Sequence, residues 1–109
     1  MAQAAAADVR KDLAARIGLL DGYIAACIGS KRSNELAREI DAIRDIAHRN
    51  GMHPAVTVAQ AVKMALMHGE RGPLIQGWMA ILRDAVSSER HDAAACDTYR
   101  AACSVRLFG

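Results

Sequence analysis

Ser88, His91 and Asp92 are the residue types of a nucleophile, a base and the acid that orients it, and they fall within five consecutive positions. Their spacing defeats that chemistry. Successive residues on one helix point about 100° apart, so such close neighbours cannot converge on a substrate or leave room for an oxyanion hole. The four histidines, His48, His53, His68 and His91, match no metal-ligand spacing. Met52 beside His53, and Met64 and Met67 near His68, offer soft donors of the kind copper takes. Methionine at helical spacing is far more commonly a core residue, and His48 and His68 suit last turns, where imidazolium complements the carbonyl end. No pair of carboxylates falls on an apolar stripe, so no raised-pKa acid is expected. Gly69, Gly72 and Gly77 lack the Lys-Ser/Thr and the preceding strand of a phosphate loop. The expectation is a protein with no catalytic residues, no cofactor and no metal.

The cysteines, Cys27, Cys96 and Cys103, are odd in number and lie outside any CxxC pattern. Cys96 and Cys103 sit two turns apart on one face, about 10 Å along a helix axis, which is too far for a mutual disulfide. Oxidation could join either to Cys27 or to a second copy, but a pair of small buried hydrophobes is the favoured reading. Reduced thiols point to a cytoplasmic setting.

The most specific local pattern is Ala14, Gly18, Gly22 and Ala26, small residues repeated every four positions. A glycine inside a helix costs roughly 1 kcal/mol relative to alanine, so two of them need compensation. A ridge without side chains lets another helix approach closely and gain backbone van der Waals contact. That contact is either a tight seam inside the same bundle or a seam with a partner or a second copy. A second candidate surface consists of Lys31, Arg32, Arg71 and Trp78. Trp78 is the only tryptophan; the core is its favoured place, with exposure of one edge beside Gly77 as the alternative. Residues 58–85 have a faint helix-turn-helix character, with Ala65 and Gly69 four apart and Ile75 and Trp78 as later anchors. Pro73 would fall in the recognition helix, His68 and Glu70 take places that should be apolar, and only Gln76 and Arg83 could read bases.

Helices must position these residues. Leu13, Ile17, Leu20, Ile24 and Cys27 recur at three- and four-residue steps and predict a helix over about 3–29, with fraying at its first few residues. Asp21-Gly22 inside it is also a hairpin signal and could bend it. Ser33 is a candidate N-cap for a helix over 33–50 with Leu36, Ile40, Ile43 and Ala47 inward. On its outer face Glu35–Arg38, Asp41–Arg44 and Asp45–Arg49 are expected to pair, and Asn50-Gly51 ends it. A third helix spans about 55–69, starting either with Pro54 in its first turn or at a Thr57–Gln60 capping box; Val58, Val62, Ala65 and Leu66 face inward. A fourth covers 73–87 with Leu74, Ile75, Trp78, Ile81, Leu82 and Ala85 inward. A fifth, capped by Ser87-Ser88, covers 89–106 with Ala95, Tyr99 and Cys103 inside. No Gly or Pro parts the last two, so one long helix is the alternative.

The whole reads as a single all-α domain over 1–109, a small helical bundle of four or five helices. Composition agrees: 52% hydrophobic, only 4% aromatic and too few β-branched runs for strands. The net charge of +2 is too mild to imply nucleic acid or a lipid surface, and charges at Asp8, Arg10, Lys11, Asp12, Arg16 and Asp21 exclude a signal core or membrane span near the N-terminus. The expected function is a non-enzymatic protein-interaction or regulatory module, self-associating as a homodimer. The alternative is a DNA-binding regulator with a degenerate helix-turn-helix at 58–85.

Overall fold

The Asp21-Gly22 pair does not interrupt the first helix: α1 runs without a break over Ala2–Ala26. It is followed by α2 (Ser33–Arg49), α3 (His53–Met67), α4 (Pro73–Ser87) and α5 (Ala93–Phe108). The structure, a computed structural model, describes residues 2–26, 33–69, 73–88 and 93–108, and among these there is no strand. The chain is a small all-α bundle, and its radius of gyration of 13.3 Å is the compactness of a folded chain of this length.

Gly51 sets the corner between α2 and α3. At φ +70 it takes the left-handed conformation that only glycine adopts cheaply. Gly51 N–H donates to the His48 carbonyl at 3.2 Å and Met52 N–H to the Ala47 carbonyl at 2.9 Å, the paired bonds of a Schellman ending. Met52, 2% exposed, then seats against the core. Pro54 lies in the first turn of α3 and no side chain caps that helix, so the proline start holds and the Thr57 capping box does not form.

The centre of the bundle is α3, which packs against α2, α4 and α5, while α1 packs against α4 and α2. A helix enclosed on several sides must be apolar almost all round. Beyond the four inward residues expected, Pro54, Ala55, Ala59 and Ala61 are buried as well. The alanines keep α3 thin enough for three neighbours to approach. Leu13, Ile17 and Leu20 of α1, Ile40, Ile43 and Ala47 of α2, and Ile75, Trp78, Leu82 and Ala85 of α4 join α3 in one buried cluster, as their spacing predicts.

Several expectations need correction. The buried line of α4 is rotated toward Met79 and Val86, each 1% exposed or less; Leu74 consequently lies 54% exposed in the first turn rather than inward. Ser87 does not cap α5. It is the last residue of α4, and its hydroxyl donates back to the carbonyls of Arg83, at 2.8 Å, and Asp84, at 3.2 Å. The fourth and fifth helices are separate elements, with α5 lying against α3. Asp41 does not pair with Arg44. Its two carboxylate oxygens accept from Lys63 Nζ of α3 at 3.1 and 3.0 Å, while Arg44 turns to Asp45 at 3.1 Å. Arg49 Nε donates to the main-chain oxygen of Asp45 and not to its carboxylate.

Candidate functional site

Leu13, Ile17 and Leu20 fix the rotation of α1, because all three are buried and share one side of the helix. The opposite side carries Ala14, Gly18 and Gly22, and all three are exposed. A β-carbon at Gly18 or Gly22 would meet no atom within 4 Å. The ridge therefore makes no tight seam inside the described bundle, and neither glycine is required by a neighbouring helix or by a positive φ. Ala26 belongs to α1, but its side chain, like Lys31, Arg32 and Arg71, lies outside the described residues.

Leu19 stands beside the ridge and is 75% exposed, which makes it the largest apolar protrusion on this face. It also forms part of a groove of ≈ 850 Å³ between α1 and α2, whose rim carries Asp12, Arg16, Glu35, Arg38 and Glu39. Arg16 Nε donates to Asp12 Oδ2 at 3.3 Å on that rim. From Ala14 to Gly22 the exposed side of α1 holds Ala14, Ala15, Gly18, Leu19 and Gly22, with no charge among them. Asp21, at the edge of the helix, is held by the Arg83 guanidinium of α4. A surface helix ordinarily turns charge to water on the side away from the core; α1 does so at Asp8, Lys11 and Asp12, and the uncharged face begins one turn later, at Ala14.

The second candidate surface loses its aromatic member. Trp78 is 0% exposed and contributes the largest fully buried side chain, so it is a core anchor and not a partner-facing residue. Its edge beside Gly77 is not open either, because the Arg106 side chain from α5 lies in the space that Gly77 leaves. The Arg106 guanidinium carbon stands 5.2 Å from the centre of the indole ring.

The residues that raised the question of chemistry are scattered. His48, His53 and His68 are exposed, while His91 and Asp92 of the apparent triad lie outside the described residues. Among the described residues no group of three His, Cys, Asp or Glu side chains is placed to hold a metal ion. Cys96 is half-buried and Cys103 buried, both as free thiols, and burial pushes the Cys103 thiol up from its ordinary value. Shallow grooves also lie elsewhere among the described residues. One of ≈ 580 Å³ between α4 and α5 is lined by Ala80, Ala95 and Ala102 with Ile81, and by the polar Asp84 and Tyr99. Another, of ≈ 440 Å³ between α3 and α5, holds His53, Cys96 and Asp97, and Asp97 is engaged by Arg100 at 3.1 Å.

Sequence reasoning overlooked Leu19 and Arg106. Leu19 was detectable, since it falls off the Leu13–Ile17–Leu20 line while remaining a large hydrophobe. Arg106 carried no signal, because its contact with Gly77 joins positions 29 residues apart. No described helix is long and apolar enough to cross a membrane. Comparison with protein-family models, characterised proteins and solved structures finds no match to this chain.

Proposed function

We propose that the chain is a small, non-enzymatic helical interaction module that pairs with a second copy of itself through the outer face of α1. The observation that carries this reading is the uncharged ridge of Ala14, Gly18 and Gly22, exposed and without internal contact, with Leu19 projecting beside it. Each interior glycine costs roughly 1 kcal/mol in helix stability, and no contact among the described residues offsets it. A helix of another molecule laid on the ridge would recover that cost through close backbone packing. Knob and hollow lie on the same face, so two copies related by a two-fold axis can each insert Leu19 above the other's glycines. A cytoplasmic setting suits the free thiols of Cys96 and Cys103.

Sedimentation velocity across the micromolar range tests this. The expected species is a dimer of the 11.7 kDa chain, and Gly18→Glu is expected to yield a folded monomer by placing charge in the seam. A parent that stays monomeric at high micromolar concentration, or a dimer indifferent to Gly18→Glu, would remove the reading. Binding of duplex DNA through residues 58–85 has less support. Gln76 is exposed, but the Arg83 guanidinium is engaged by Asp21, and Pro73 begins the helix that would enter the groove.

A further inference from the structure

Among the described residues, α5 joins the bundle through a narrow apolar stripe. Among its described side chains only Ala95 and Cys103 are buried, Tyr99 is half-buried, and Val105 is 71% exposed. Polar contacts of Tyr99 and Arg106 supplement that narrow stripe. Midway along α5 the Tyr99 hydroxyl donates to Asp84 Oδ2 at 2.6 Å. Near its end Arg106 reaches α4, where Nη2 donates to the Leu74 carbonyl at 2.8 Å and the guanidinium lies over the Trp78 ring.

The seat for Arg106 is made by an absence. A β-carbon at Gly77 would stand 2.9 Å from Arg106 Cζ, closer than such atoms pack, and a tight 3.2 Å from Nη1, so the guanidinium at the end of its flexible stem would have to leave the seat. Gly77 does not need glycine for its backbone, since the positive-φ glycines of the described residues are Gly51 and Gly69. What it supplies is a hollow on α4, floored by the Trp78 indole and edged by a main-chain carbonyl, and these are three features that suit a planar cation. Cys103 lies one helical turn before Arg106 and belongs to the same buried cluster as Trp78.

We propose that the C-terminal turns of α5 form a latch. Arg106 seated in the Gly77 hollow keeps it closed, and its release uncovers Trp78 and the Cys103 thiol together while the other four helices stay folded. A segment with few buried side chains opens locally at a lower free energy than the whole domain unfolds, and among the described side chains Arg106 ties the end of α5 to α4. Opening turns the Trp78 side of the bundle into an exposed apolar surface and makes Cys103 reactive.

The experiment uses a full-length chain in which Cys27→Ser and Cys96→Ser leave Cys103 as the sole thiol. The rate of its reaction with a small maleimide is measured under native conditions and normalised to the rate in denaturant. Arg106→Ala is expected to speed this reaction by about tenfold, the consequence of losing one charge-assisted hydrogen bond and one cation–π contact. Gly77→Ala is expected to speed it as well, although alanine favours the helix and the global urea midpoint should not fall. The double variant should be no faster than Arg106→Ala alone, because both changes remove the same contact. The latch is overturned if Arg106→Ala reacts at the parental rate, if the two changes act additively, or if the parent's thiol becomes accessible only with global unfolding.

Discussion

The hydroxyl of Tyr99 on α5 donates to Asp84 on α4 at 2.6 Å, and this short bond ties the last helix to the fourth. Partial burial, the Asp84 hydrogen bond and the Asp84 charge together push the Tyr99 phenol up from 10.0 to about 12, against a weaker opposing hydrogen bond from Ser88. The folded state thus prefers the protonated phenol. Its contribution is complete below pH 10, the value of the unfolded chain, and is lost as pH rises through about 12.

Tyr99→Phe follows from that relationship. It should cost about 0.5–1.5 kcal/mol near neutral pH, the net worth of one hydrogen bond. It should also flatten the alkaline decline in stability. The check is urea denaturation of parent and variant at neutral pH and at several points between pH 9 and 12, with the difference between them expected to shrink as the phenol of the parent ionises. A difference that stays constant across the range would mean that the bond with Asp84 does not hold the proton.

Trp78 should behave as the centre of the core. The indole is fully buried, so its fluorescence should be blue-shifted and shielded from iodide in the native state. Trp78→Ala should destabilise the domain by about 3–5 kcal/mol, the usual result of truncating a large buried aromatic side chain. Chemical denaturation followed by circular dichroism measures this directly, and a loss under 1 kcal/mol would contradict the burial.

The ion pair between Lys63 and Asp41 joins α2 to α3, but both side chains keep over a third of their surface in water, at 41% and 36%. Solvent screening limits such pairs, so a double-mutant cycle with Lys63→Met and Asp41→Asn should return a coupling of about 0.2–1 kcal/mol. The bundle is held by its apolar cluster, and removal of this pair should leave the cooperativity of unfolding unchanged.

How far the sequence carried depends on the range of the interaction concerned. The inner stripes of α1, α2 and α3 were legible because each is a local periodicity: Leu13–Ile17–Leu20, Ile40–Ile43–Ala47 and Val58–Val62–Ala65 are set by 3.6 residues per turn. The ending of α2 was legible because Gly51 acts within its own turn. The rotation of α4 was not, since Leu74, Ile75, Ile81 and Met79 are all apolar and only the packing of α1 and α3 selects among them. The broad burial of α3, which leaves only the stripe of His53, Gln60, Met64 and Met67 exposed, likewise depends on its having three neighbours, which no window of the chain expresses. The small-residue ridge was visible as a pattern, but spacing does not reveal whether such a ridge faces inward. Gly77 was read as a gap beside Trp78, and the side chain that fills it comes from 29 residues further along the chain.

The two exposed glycines of α1 separate folding from association. Neither has a positive φ, and a β-carbon at either would meet open space, so Gly18→Ala and Gly22→Ala carry no steric cost within one chain. Each should stabilise the isolated monomer by about 0.5–1 kcal/mol, because alanine loses less backbone freedom in a helix interior. In a seam where backbones approach closely, the same methyl groups would hold the two helices apart and weaken association. The double variant should therefore show a higher unfolding temperature at low concentration, where the monomer prevails, and a larger dissociation constant by sedimentation. Ordinary gains in helix propensity raise stability and leave assembly alone, whereas a seam that requires glycine makes the two measurements move in opposite directions. If Gly18→Ala/Gly22→Ala raises thermal stability while the association constant remains at its parental value, the glycines are not the contact surface and the outer face of α1 does not mediate pairing.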